Sequence, residues 1–153
     1  MRAGAAGHNG IVVTTHKFTV GTRGQGDAHD VTARVARAVE DGRLKNGTAT
    51  VFVVGSTAAI TTIEFEPGAI HDFNRLLEAL APRGADYEHH KRWGDDNGSS
   101  HVRAALVGPS LTVPVVNSRL TLGEWQQIML LECDTRARRR EIVVQLVGEH
   151  EQP

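Results

Sequence analysis

The run Thr48–Val54, TATVFVV, constrains the fold of this chain more than any other segment. It is β-branched or aromatic at every position but Ala49, and Gly47 and Gly55 bound it. Such a run is too short and too β-branched for a helix, and it predicts a strand buried on at least one face. Other elements must cover that strand, which implies a central position in a sheet.

The neighbouring segments supply the cover. Ile11–Val20 is rich in Val, Thr and Phe and predicts a first strand. Gly21, Gly24 and Gly26 then punctuate a loop ending at Asp30, a good N-cap, after which Val31, Val35 and Val39 recur every fourth residue and predict a short helix closed at Gly42. Ala59–Phe65 reads as a strand with Ile60, Thr62 and Glu64 on one face. Pro67 suits the first turn of a second helix, whose apolar stripe is Ile70, Phe73, Leu76, Leu77 and Leu80. Arg83–Ser100 is polar, and a short helix around His101–Val107 stops at Gly108-Pro109. Leu111–Val116, Trp125–Cys133 and Glu141–Val147 read as further strands. The order predicts an α+β domain with a mixed, mainly antiparallel sheet, two main helices and one short helix.

Length and charge exclude several classes. The 153 residues are enough for one domain with its own core, here placed at 11–150 behind a flexible tail at 1–10. Seventeen Lys and Arg against eighteen Asp and Glu give a net charge of -1, which argues against bulk attraction to nucleic acid or an anionic membrane. The single cysteine, Cys133, cannot form an intramolecular disulfide and reads as a packing residue. No apolar run is long enough to span a bilayer, and MRAGAAGHNG lacks the apolar centre of a secretory signal, so the expected compartment is the cytoplasm.

The chemistry-bearing segment is Tyr87–His101, YEHHKRWGDDNGSSH, which holds His89, His90, Asp95, Asp96, Asn97 and His101. Imidazoles with a carboxylate suit zinc, whereas Asp and Asn suit magnesium and phosphate oxygens. The spacing does not choose between them, and a solvated polar loop built on Asx turns is the competing reading. Gly55-Ser56-Thr57 ends a strand with two hydroxyls suited to an anion, but it lacks the lysine of a phosphate-binding loop, and an ordinary turn competes. Glu64 reads as a general base, a ligand or a solvent-facing carboxylate. Arg119 offers a guanidinium for phosphate and Gln126 an amide for polar recognition. The run Arg136, Arg138, Arg139 and Arg140 reads as a solvated turn or as a contact for RNA or an acidic ligand.

Three blocks together resemble a known family. They are VFVVGSTAAITTIEFEPG, YEHHKRWGDDNGSSHVRAALVGPSLTVPV, and SRLTLGEWQQIMLLECD followed by RARRREIVVQLVGE, in that order over roughly Gly47–Glu149. The pattern is similar to the YjbQ family. The resemblance implies a compact α+β subunit, a homotrimer, and a link to secondary thiamine-phosphate synthase activity. It carries a polar pocket onto Thr57, Glu64, His89, Asp96, Asn97, His101, Arg119 and Gln126, with a metal near the histidines. Gly55 and Ser56 replace the His-Thr of one form of the family turn and match its Gly-Ser-Thr-Ala form. Ser99 and Ser100 precede His101 where some members carry another histidine, so a third ligand falls to Asp96, His90 or a neighbouring subunit.

These readings define the expected function: coupling of a pyrimidine-methyl diphosphate to a thiazole phosphate. Glu64, His89, Asp96 and His101 are the expected catalytic residues, and Ser56, Thr57, Asn97, Arg119 and Gln126 the expected substrate contacts. A divalent zinc or magnesium ion on His89, Asp96 and His101 is the expected cofactor, with no organic cofactor. A zinc-dependent hydrolase of a small phosphorylated molecule and a non-catalytic trimeric ligand-binding protein are the alternatives.

Overall fold

The computed structural model describes residues 10–150. The tail expected over 1–10 lies, apart from Gly10, outside them. In chain order the elements are β1 (Val12–Gly21), β2 (Ala28–Asp30), α1 (Thr32–Asp41), β3 (Leu44–Val54), β4 (Ala58–Ile63), α2 (Pro67–Leu80), α3 (Glu88–Trp93), α4 (Gly98–Val107), β5 (Ser110–Val116), β6 (Arg119–Leu120), β7 (Gln127–Glu132) and β8 (Arg139–His150). Two sheets form, one ordered β1-β8-β3-β5-β6 and the other β2-β7-β4. Every pairing among the described strands is antiparallel. The architecture is the α+β class read from the sequence, with four helices instead of three.

β3 is the middle strand of its sheet, as its composition predicts. Ala49, Val51 and Val53 are fully buried, whereas Phe52 and Val54 stand on the opposite, exposed face. The inner face meets Ile142, Val144 and Leu146 of β8, Val113 and Val115 of β5, the α1 stripe Val31, Val35 and Val39, and Ile60, Ile128 and Leu130 of the second sheet. This core lies between the sheets.

β7 explains the second layer. Ile128 and Leu130 face the first core, while Met129 and Leu131 join Leu77 of α2, Ala104 of α4 and Cys133 in a second cluster. A strand covered on both sides needs no polar alternation, and IMLL has none. Helices α2 and α4 therefore cover the face of the smaller sheet that α1 does not.

Local chemistry moves several boundaries. Val31 occupies the N-cap position of α1 without a capping side chain, while the Asp30 carboxylate accepts the Thr32 N–H at 2.9 Å from one position earlier. Glu66 caps α2 by accepting from the Gly68 and Ala69 N–H groups, ahead of Pro67 at the first helical position. In the α2 stripe only Leu77 is buried, and Leu76 and Leu80 remain exposed. The polar stretch after α2 holds a six-residue helix, α3, closed by Gly94 in the left-handed conformation. Among the described residues no helix is long and apolar enough to cross a membrane.

Candidate functional site

The site begins with charges where a core should be. Glu132 ends β7 fully buried, and Asp134 follows at 2% exposure. Arg140, at the start of β8, is also buried and grips both Glu132 oxygens, through Nη2 and, at 2.8 Å, through Nε. Thr22 donates its hydroxyl to Glu132 at 2.6 Å. Burying a carboxylate is costly unless it is paired and hydrogen-bonded, and this one is both.

The network extends into the residues the sequence singles out. Thr57, immediately before β4, accepts from Arg140 Nη2 at 2.8 Å and donates to Asp134 at 2.9 Å. Asn97, the residue before α4, donates to the same Asp134 oxygen at 3.3 Å, and Arg138 Nε reaches it at 3.0 Å. Two carboxylates thus meet two guanidiniums, with Thr57 and Asn97 held between them. Burial works to raise the Asp134 carboxyl. Hydrogen bonds from the Arg136 amide, Thr57, Arg138 and Asn97 outweigh it and hold that carboxyl below its usual range.

α4 carries the chemistry away from this anchor. His101 stands one turn after Asn97 and so on the same side of the helix. Its ring lies 4.6 Å from that of His89 on α3, centre to centre, tilted by 40°. His89 Nδ1 is buried and 3.2 Å from Asp95 Oδ1, but the angle does not make a hydrogen bond. An imidazole pair beside a carboxylate can exchange protons with a bound molecule.

Asp96 turns elsewhere. Its side chain is 92% exposed and approaches His90 Nδ1 at 3.9 Å, and its backbone is left-handed, at φ 51°. His89, Asp96 and His101 therefore do not converge. The described residues contain no group of three His, Cys, Asp or Glu side chains that could hold a metal ion. His89 and His101 would supply two nitrogen donors, short of the three protein ligands of a catalytic zinc site.

The remaining expected residues divide by place. Ser56 is exposed at the turn beside Thr57. Glu64 is exposed beyond the end of β4 instead of within it, because the strand stops at Ile63. Gln126 donates to Thr62 at 3.2 Å, just before β7. At about 3.4 Å per residue, both lie roughly 20 Å along their strands from Thr57 and Glu132. Arg119 is on β6, at the edge of the larger sheet. One subunit thus presents Thr57, Asn97, His89 and His101 near one end of the smaller sheet, and Glu64 and Gln126 at the other.

Glu132 and Asp134 are not among the residues the sequence singles out, and Arg140 is marked there only as part of an arginine run. The signal was a carboxylate closing an otherwise apolar strand, IMLLE, with an arginine eight residues later. Arg140 corrects the picture of the arginine run as a solvated turn, since it is 7% exposed. Cys133 packs as expected: burial first, then the Glu132 charge, pushes its thiol up to about 12, which leaves it no nucleophilic thiolate.

The acid limb of stability follows from these groups. Burial works to raise Asp27, but hydrogen bonds from the Arg23 side chain and amide and from His29 hold it at about 2. Bonds from Arg103 and Arg83 hold Glu78 at about 2. Carboxyls depressed below their unfolded values stabilise the fold above about pH 4, and that stabilisation is lost as pH falls toward 2. Melting temperature, followed by circular dichroism, is expected to fall through this window, and Asp27→Asn is expected to make the fall shallower.

Comparison with known proteins places this fold. The family model described as UPF0047 protein YjbQ-like matches residues 16–149. A UPF0047 protein from Methanothermobacter thermautotrophicus is 37% identical over 89% of this chain and 93% of its own. The UPF0047 protein YjbQ of Escherichia coli O157:H7 is 31% identical over 79% and 88%. A crystal structure of a YbjQ-like protein of unknown function from Sulfolobus solfataricus P2 superposes with a TM-score of 0.85 at 31% identity, over 92% of this chain and all of that one. With the family model matching residues 16–149, a relative 37% identical over nearly its whole length and a superposable solved structure, the chain belongs to the YjbQ-like UPF0047 family.

Proposed function

We propose that this protein is an enzyme that moves protons on a phosphorylated small molecule, with thiamine-phosphate formation as the reaction to assay first. The observation that carries the reading is the His89–His101 ring pair beside Asp95, held one helical turn from the buried Asn97–Asp134 anchor. In the coupling, the thiazole nitrogen forms a bond to the methylene carbon of the pyrimidine. The carbon–oxygen bond to diphosphate breaks, and the diphosphate leaves with the electron pair. An imidazolium of the pair gives its proton to the departing oxygen, and the exposed Ser56 hydroxyl binds a phosphate oxygen, on a turn held by the Thr57 bonds to Asp134 and Arg140. The protein acts as a cytoplasmic homotrimer in this reading, since a neighbouring copy would bring residues such as Glu64, Arg119 and Gln126 to a site they do not reach within their own subunit.

Turnover of the two phosphorylated substrates with magnesium is the test. His101→Ala and His89→Ala are each expected to lose about 10²–10⁴-fold in kcat, the usual worth of a positioned acid or base, with the melting temperature unchanged. Full turnover in His101→Ala would remove the pair from the mechanism. Wild-type protein that neither binds nor converts either substrate would overturn the transferase reading.

A further inference from the structure

A groove of about 890 Å³ opens between the β1–β2 loop and the start of α2, lined by Arg23, Gln25, Asp27, Phe65, Ile70 and Arg83 among others. Its size suits a small organic molecule. Nothing in the site described above uses it, yet it abuts that site. Thr135, which also lines the groove, donates its backbone N–H to Asn97 Oδ1 at 3.4 Å, and Gln25 donates to Ser99 Oγ on the first turn of α4 at 3.3 Å.

The lining has two characters. Phe65, Ile70 and Pro67 offer apolar surface, and Phe65 and Ile70 are only partly buried by the second core. Arg23 and Arg83, with side chains 90% and 62% exposed, stand over it. Arg23 uses Nε and Nη2 on Asp27, and Arg83 uses Nε on Glu78. A guanidinium carries five N–H donors, so each arginine has capacity for a second anion. Asp27, the acidic residue in the lining, is held ionised by Arg23 and His29, and both of its oxygens are engaged.

Gln25 adds an independent observation. Its Oε1 is buried without a hydrogen-bond partner. Turning the amide over would leave the NH₂ group unpartnered instead, so either orientation leaves one polar end unmatched. Turned toward the groove that Gln25 lines, this amide would find its partner in a polar atom on a bound ring.

We propose that this groove seats a flat aromatic or heteroaromatic molecule carrying a phosphate. The ring lies against Phe65 and Ile70, Gln25 meets a polar ring atom, and Arg23 and Arg83 meet the phosphate. That the occupant is the substrate rests on the function proposed above; that the groove binds this class of molecule does not.

Amide chemical-shift titration of the full chain with phenyl phosphate, phenol and inorganic phosphate separates the two. Phenyl phosphate is expected to give saturable shifts at Gly24, Gln25, Gly26 and Thr135. The double variant Arg23→Gln/Arg83→Gln is expected to bind at least about tenfold more weakly, with the rest of its spectrum unchanged. His101→Ala is expected to bind phenyl phosphate within about twofold of wild type even where turnover is lost, so failure of the chemistry and failure of the seat read differently. Phenol or inorganic phosphate binding as tightly as phenyl phosphate would overturn the two-part recognition. Shifts confined to Asn97–His101, or no saturable shift by about 10 mM, would overturn the groove itself.

Discussion

Replacing Arg140 with methionine is expected to cost about 3–5 kcal/mol of stability, the range for removing one partner from a buried ion pair. The reason is what stays behind. Glu132 is fully buried, and without the guanidinium it retains only the Thr22 hydroxyl and the Asp134 amide as donors. Thr57 loses its donor at the same time, so the turn that carries Ser56 loosens. Urea unfolding by circular dichroism measures the loss. The double variant Glu132→Gln/Arg140→Met is expected to recover part of it, because a neutral amide costs less to bury than an unpaired charge. A loss below about 1 kcal/mol in the single variant would mean that water reaches Glu132 and that the network is not dry.

Alanine at Gly47 or Gly148 is expected to be comparably damaging, at about 2–5 kcal/mol for strain plus overpacking. These glycines face each other across the β3–β8 ladder, both at φ 156°. A Cβ on Gly47 would stand 2.1 Å from the Val147 carbonyl oxygen, and one on Gly148 would stand 2.2 Å from the Asn46 carbonyl oxygen. Backbone on both sides leaves no side chain to give way. Gly21→Ala is the control, since nothing lies within 4 Å of a Cβ there, and its midpoint is expected to stay near wild type. Equal midpoints for Gly47→Ala and Gly21→Ala in the same unfolding assay would show that the two strands part at little cost.

The sequence made some of this legible for physical reasons that are specific to each segment. β3 could be read because a β-branched run between glycines has few other uses, and α1 because its valines recur at helical spacing. β2 and β6 could not, since strands of three and two residues carry no periodicity and exist through their pairing with β7 and β5. α3 escaped because its six residues bury none of their side chains, so EHHKRW shows no apolar stripe. In the site, hydroxyl, amide and imidazole residues announced themselves by type. Glu132 and Arg140 did not, although the reasoning that marks Glu64 as a charge within a strand applies with more force to Glu132. Which carboxylate is buried depended on where each strand stopped and on what lay opposite, neither of which is written locally.

The bond between the two polar helices has a consequence for the imidazole pair. The Gly98 N–H at the first residue of α4 donates to His90 Nε2 at 3.1 Å, while Asp96 stands near the other ring nitrogen. That bond exists only while Nε2 keeps its lone pair. A side chain without an acceptor at that place would leave the Gly98 N–H unmatched at the start of α4. His89 immediately precedes His90 on α3, so its place opposite His101 depends on a bond made by a neighbour that takes no part in the pair. The rigid member is His101, whose helix is tied to the interior through Asn97 and through Arg103 bound to the Ala81 carbonyl. The two imidazoles thus stand on unlike supports: His101 on a helix tied into the interior, and His89 on a six-residue helix that buries none of its side chains and meets α4 through the Gly98–His90 bond.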